Sequence, residues 1–272
     1  MRPRFPMIIP PANHEPLPGR AEGLITNIFH CDARNIGDQM CGPAQYLWSD
    51  RSINLREDTT QVPTERVVVG GGQIFSQLPG LVHSVRGAQP NSKIAGWGVG
   101  LPIKGRKDQF VREVVSAFDV FGTRNYEWRD EIPFVPCASC LSQAFELDCS
   151  PKHEVVIYEH RRKPAPENVP STIPVLKNDL LDIVRVIDFL ASGETVVTSS
   201  YHGVYWAQLL GRKVICLPYN EKFRTYQYCP TMANPNDWLQ KLKTAKKVGP
   251  LLGEYREINM KFRAQVEKIL GI

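Results

Sequence analysis

The chain has 272 residues, nearly twice the usual length of about 150 per domain, so one large domain or two small ones are expected. Apolar residues make up 42% and charged residues 22%, a globular balance rather than a disordered one. The net charge of +5 suits anionic ligands, but the charges are not in blocks, which argues against a dedicated nucleic-acid binder.

Residues 1–21 carry six prolines and little periodicity, so an irregular arm is expected there. The prolines also deny MRPRFPMIIPP the apolar core of a signal peptide. Short apolar runs then predict strands over Leu24–Phe29, Arg66–Val69, Lys93–Trp97, Ala117–Phe121, Ile132–Val135, Val155–Tyr158, Glu194–Thr198 and Lys213–Leu217. Between several of them lie helical patterns, about 39–49, 107–116, 179–192 and 203–210. Such alternation implies βαβ units and mostly parallel sheets covered on both faces. The polar stretch 147–153 places a boundary near 150, between an N-terminal α/β domain over 22–150 and a C-terminal one over 151–272. The tail, 236–270, reads as helix broken at Gly249-Pro250. No apolar run reaches about 18 residues, so no membrane-spanning helix is expected. Seven scattered cysteines, an odd count, fit a reduced cytoplasmic protein better than a disulfide framework.

Five motifs sit where α/β sheets bind ligands, at strand-to-helix turns. Asn35-Ile36-Gly37-Asp38 follows the first strand; Gly37 permits a tight turn and Asp38 can cap a helix start. An ordinary capped turn would look the same. Val67-Val68-Val69-Gly70-Gly71-Gly72 lets backbone N–H groups approach an anion, or simply makes a steric turn. It lacks the dinucleotide spacing Gly-x-Gly-x-x-Gly and an acidic residue about 20 positions on, which disfavours a nicotinamide enzyme. Gly96-Trp97-Gly98-Val99-Gly100 reads alone as a loop. Arg124, after the strand ending near Phe121, presents a planar fork suited to phosphate or carboxylate, against the alternative of a surface salt bridge. The most informative is Thr198-Ser199-Ser200-Tyr201-His202-Gly203. Ser199 or Ser200 can cap the helix, and His202 falls in its first turn among free N–H donors, where a histidine pKa is lowered. Lys222 follows the next strand at the same sheet edge. The Cys137-Ala138-Ser139-Cys140 pair lacks two further ligands at zinc spacing and reads as core or loop, so no metal is expected.

Taken in order over about 24–224, these motifs resemble the polysaccharide pyruvyl transferase family, its exopolysaccharide type with Ser-Tyr-His-Gly above all. The resemblance implies two Rossmann-like domains in a GT-B-like arrangement with a ligand cleft between them. It implies no cofactor, phosphoenolpyruvate as donor, and a hexose of a saccharide or lipid-linked precursor as acceptor. The product would be a pyruvate ketal. Arg124, Lys222 and helix N-termini would hold the donor anion, with Gly71, Gly72, Ser199, Ser200, Tyr201 and Gly203 lining the site. His202 would protonate the donor methylene, and Asn35 or Asp38 would orient the acceptor. Ser200 stands where many members carry arginine, so Arg212, Arg224 or Arg129 would supply the missing fork. Cys137-Ala138 stands where many carry Asp-Pro. Two other functions fit the same fold: a glycosyltransferase using a nucleotide sugar, with Glu221 as ribose ligand, and a catalytically silent saccharide-binding subunit. A basic chain without a spanning helix could also visit an anionic membrane at its inner face.

Overall fold

A computed structural model describes residues 21–55, 62–146, 150–163 and 165–272, so the expected arm lies, but for Ala21, outside the described residues. The first half runs β1 (Ala21–Phe29), α1 (Ile36–Gln39), α2 (Ala44–Leu47), β2 (Trp48–Asn54), β3 (Arg66–Gly72), α3 (Leu78–Ala88), β4 (Lys93–Val99), α4 (Asp108–Ser116) and β5 (Val120–Thr123). Its sheet has the order β2-β1-β3-β4-β5, every pair parallel. The second half runs β6 (His153–Glu159), β7 (Val175–Lys177), α5 (Ile183–Ala191), β8 (Gly193–Thr198), α6 (Tyr201–Leu209), β9 (Lys213–Cys216), β10 (Thr231–Met232), α7 (Trp238–Lys241) and α8 (Leu251–Leu270). Its sheet, β10-β9-β8-β6-β7, is again wholly parallel.

The central strands are near-continuous apolar runs because helices and loops cover both faces. Val67, Val68 and Val69 of β3 are fully buried, as are Ile94, Ala95, Trp97 and Val99 of β4. Glycine in these strands answers close contacts. A Cβ at Gly70 would lie 2.2 Å from the Trp97 carbonyl, and one at Gly96 would lie 2.2 Å from the Phe121 ring.

Three expectations are corrected. The helix expected over 39–49 is two single turns followed by β2, because Gly42-Pro43 interrupts it and Trp48 enters the strand beside β1. The strand expected over Ile132–Val135 is a single bridge, Thr123 to Phe134, flanked by Pro133 and Pro136, which lack N–H donors. The β5 strand starts at Val120 because Ala117 still closes α4, donating its N–H to Val114. Helix α3 was hidden by Pro79, Gly80 and Gly87, and β7 and β10 by their length.

The helix expected over 236–270 is borne out only after Gly249-Pro250: before it the tail makes the single turn α7, a 3-10 turn over Leu242–Thr244 and an irregular stretch, and the long α8 then crosses back onto the first sheet. The Trp97 indole N–H donates to Asn259 Oδ1 at 2.8 Å, and its ring meets Phe262 edge-on at 4.9 Å. The Trp48 indole donates to Glu267 at 3.0 Å. One apolar cluster therefore runs through both halves, from Ile25 and Trp97 to Val156, Val196 and Trp206, with Tyr255, Phe262 and Val266 of α8 across it.

Asn259 is fully buried and also donates to the Tyr255 and Pro136 carbonyls. Asn259→Ala leaves the Trp97 N–H without an acceptor, and unfolding free energy is expected to fall by about 1–3 kcal/mol. Urea denaturation reads this as a lower midpoint at unchanged slope.

Candidate functional site

Four strands of each sheet deliver their C-terminal ends to one seam between the halves. From the first sheet come the loop after β1, Gly72 after β3, Gly100 after β4 and Arg124 after β5. From the second come His160 after β6, Asn178 after β7, Ser199 after β8 and Tyr219 after β9. This is the edge at which α/β folds bind ligands.

The first loop is locally wound. Asn35 caps α1, its Oδ1 accepting from the Gly37 N–H at 3.1 Å. The same oxygen accepts from Asn178 Nδ2 of the other half at 3.2 Å, and the Ile36 N–H donates to the Asn178 carbonyl. Asp32 and Arg161 pair across the seam at 2.5 Å. Gly37 then lies flat against the His202 imidazole: a Cβ there would stand 2.3 Å from Nδ1. Ser200 caps α6, accepting from the Gly203 N–H, which sets His202 in the first turn as expected. Gly203 lets that turn sit on the second sheet, since a Cβ would lie 2.3 Å from Thr198 Oγ1.

Arg124 is 5% exposed, with its guanidinium 4.0 Å from the Tyr201 ring centroid and one nitrogen 3.5 Å from Gln73 Oε1. Lys222 donates to the Tyr219 hydroxyl at 2.7 Å and lies over the Tyr219 and Phe223 rings. Neither cation has a carboxylate partner among the described residues; aromatic faces hold both. The electrostatic result is legible in the titrations. Burial, then repulsion by Arg124, pulls Lys222 down to about 8, with Asp38 opposing. Burial, then Arg124 and Lys222, pushes His202 well below the usual imidazole value, so the free protein holds it neutral. Burial raises the Asp38 carboxyl against the pull of His30, 3.8 Å away. Burial and the surrounding Lys222, Lys163 and Arg161 lower His160 to about 4.

Of the residues anticipated from sequence, Asn35, Gly37, Asp38, Arg124, Tyr201, His202 and Lys222 converge on the seam. Ser199 accepts from the His160 N–H, so it ties two strand ends together. The Gly71 N–H is taken by the Cys41 carbonyl at 3.4 Å, and a Cβ there would lie 3.0 Å from that oxygen, so the glycine run admits the first loop. Gly72, at φ +90, accepts from the Gly100 N–H through its carbonyl. The missing fork is not replaced by the arginines named above. Arg129 lies over Tyr126, Arg224 is exposed, and Arg212 follows the far end of α6, about 14 Å from its start. Glu221 pairs with Arg106 at 2.8 Å.

Sequence reasoning passed over four residues: Gln73, His160, Tyr219 and Cys137. His160 and Tyr219 stand just past strand ends, a signal the other motifs shared. Cys137 is buried, as expected, but its Sγ lies 3.5 Å from His202 Nε2. A cavity beside Arg124, walled by Cys137, Tyr201, Tyr205 and Tyr226, has room for about one water. His202 is buried between the first loop and α6.

No protein-family model matches this chain, and no curated protein matches it. Among solved structures, it is similar to a Listeria monocytogenes protein described as a UDP-N-acetylglucosamine 2-epimerase, at 12% identity and TM-score 0.50, covering 92% of this chain and 91% of that one. An uncharacterized Klebsiella pneumoniae protein overlaps at 16% identity and TM-score 0.44, over 74% and 85% of the two chains. The wall teichoic acid polymerase TagF overlaps at 9% identity and TM-score 0.43, over 91% and 88%. The first likeness shows the fold: two Rossmann-like, parallel-sheet halves of the GT-B type.

Two outcomes follow from the geometry. Gly37→Ala drives a methyl into the imidazole and is expected to lower stability by about 1–3 kcal/mol, read by urea denaturation. Sulfate keeps its charge across neutral and alkaline pH, whereas Lys222 is a cation below about 8 and neutral above. Calorimetric titration should therefore show sulfate affinity falling as pH rises through about 8, and Lys222→Met should flatten that dependence.

Proposed function

We propose that this chain is a pyruvyl transferase that takes phosphoenolpyruvate as donor and a hexose of a cell-surface polysaccharide precursor as acceptor. One observation carries the reading: a histidine held neutral stands beside a buried cation, Arg124, and a half-buried one, Lys222, that have no carboxylate to neutralise them among the described residues. Such a site is short of negative charge, and a small phosphorylated carboxylate supplies it. The ordered motifs from Asn35 to Lys222 support the same assignment. A fold shared with a protein named for a UDP-sugar is compatible with a saccharide acceptor, free or lipid-linked. A lipid-linked acceptor would be met at a membrane face, and no helix among the described residues is long and apolar enough to cross a membrane.

Arg124 and Lys222 bind the donor carboxylate and phosphate, with the N-terminal amides of α6 completing the cradle. Burial, then Arg124 and Lys222, keeps His202 neutral; donor charge offsets the second of these, so the imidazole gains a proton as the donor binds. His202 then protonates the methylene carbon, and the adjacent carbon becomes electrophilic. One acceptor hydroxyl adds there. Phosphate leaves, the second hydroxyl closes the ketal, and the hydroxyl protons pass to the departing phosphate and the surrounding water. Asp38, its carboxyl raised by burial, faces this chemistry from the first loop and orients the acceptor hydroxyls. Entry of both substrates requires the seam to open at Gly37 and His202.

Calorimetry with phosphoenolpyruvate beside a panel of nucleotide sugars tests the donor. Phosphoenolpyruvate should bind with proton uptake, seen as a dependence of the heat on buffer ionisation enthalpy. Arg124→Ala should weaken binding by about 1.5–3 kcal/mol, the value of a lost charged hydrogen bond. His202→Ala should bind the donor but release no phosphate in the presence of acceptor. Binding of a nucleotide sugar alone would assign the protein to glycosyl transfer. Glu221, the ribose ligand that alternative calls for, pairs with Arg106 at the surface.

A further inference from the structure

The residue that sequence reasoning set aside, Cys137, makes the single hydrogen-bonding contact to the His202 ring among the described residues. Behind it lies an ordered chain of donors. The Trp206 indole N–H, a group that can only donate, points at Ser139 Oγ at 3.0 Å. Ser139 Oγ in turn donates to Cys137 Sγ at 3.3 Å. The Tyr205 hydroxyl donates to the Cys137 carbonyl at 2.7 Å, which fixes the backbone that carries the thiol. Cys137, Ser139, Trp206 and Tyr205 are all buried.

From this polarity we infer that Cys137 is a positioning residue for His202: its S–H donates to Nε2, so the neutral ring carries its hydrogen on Nδ1. The Trp206 N–H occupies a lone pair of Ser139, the serine hydrogen is spent on Sγ, and the thiol hydrogen is left for Nε2. Nδ1 is the ring edge that faces Gly37 and the first loop, and it has no hydrogen-bond partner among the described residues. When the ring is charged, Nε2–H turns to donate to Sγ and Nδ1–H is retained. In both charge states the hydrogen facing the seam sits on Nδ1. Burial keeps Cys137 a thiol rather than a thiolate, so it orients the ring and does not act as a nucleophile. Tyr201 and Trp206 flank the imidazole at ring distances of 5.7 and 5.2 Å, and Arg124 and Lys222 are the charges that act on it. The catalytic consequence, proton delivery from Nδ1, rests on the proposed pyruvyl transfer; the tautomer does not.

Nitrogen-15 NMR of labelled protein at neutral pH tests this, with the His202 signals identified by their loss in His202→Gln. The wild-type ring should show a pyrrole-like Nδ1 and a pyridine-like Nε2. Cys137→Ala should shift the ring towards the Nε2–H form, and Cys137→Ser, which keeps a donor, should not. Ser139→Ala, which leaves the thiol but frees its hydrogen, should give a mixture and covers the case in which Cys137→Ala fails to fold. A wild-type ring protonated at Nε2, or a tautomer unchanged in both alanine variants, would overturn the assignment. In the phosphate-release assay, Cys137→Ala should lower kcat about tenfold or more with donor KM unchanged, and Cys137→Ser should recover it. A shifted tautomer in a protein that releases no phosphate with any acceptor would uphold the positioning role and reject pyruvyl transfer.

Discussion

The seam between the two halves closes because Gly37 has no side chain. Parallel strands send every C-terminal end to one edge, and two such edges meet here, so loops that would otherwise face solvent are pressed against each other. The tightest contact is Gly37 on His202, where a single added methyl would overlap the ring. Around it the halves are joined by Asn35 to Asn178 and by Asp32 to Arg161. These contacts bury the imidazole, and burial is the first cause of its depressed pKa. The steric fact at Gly37 and the electrostatic fact at His202 are therefore one constraint seen from two sides.

The terminal helix gives that constraint its rigidity. A chain that forms one sheet and then another would leave the halves joined only by the 124–152 connection. Instead α8 returns to the first sheet and covers Trp97 and Trp48. On its way it fixes the connection itself, since Arg256 donates to the Cys140 and Ser142 carbonyls and Asn259 to that of Pro136. The segment that carries Cys137 to His202 is thus held from behind by the last helix. Apolar contact runs without a break from one sheet to the other, so movement at the seam is paid for in buried apolar surface.

How much of this was legible beforehand follows from physical range. Strands such as 66–69 and 213–217 announce themselves by unbroken apolar runs, and the helix at 201–209 by its serine cap. Those signals are local. Residues at strand ends, Arg124, His202 and Lys222 among them, could be named because parallel topology forces strand ends together. The 39–49 segment misled because its apolar residues recur at helical spacing while Gly42-Pro43 stops the helix and β1 recruits Trp48 into a sheet. Gly71 looked like an anion cradle, but its N–H is already occupied by Cys41, a pairing with no local signature. Cys137 is 65 residues from His202 in the chain, and nothing in its immediate neighbours points there. Contacts of that separation are set by the docking of whole elements.

The aromatic shell explains how two cations persist in a buried seam without carboxylates. A salt bridge would neutralise Arg124 or Lys222 and spend the charge internally. Tyr201, Tyr219 and Phe223 attract the cations through their ring faces while contributing no net charge. The positive field is therefore retained: it adds to burial in lowering His202, His160 and Lys222 itself, and it pulls against the burial that raises the Asp38 carboxyl. A site built this way stores unfavourable repulsion between Arg124 and Lys222 in the free protein. In the proposed reaction an anion that sits between them would relieve that repulsion and oppose the lowering of the imidazole, which couples binding to proton gain. Arrangement of the groups, rather than any single residue, leaves the seam with positive charge that no carboxylate among the described residues pairs with.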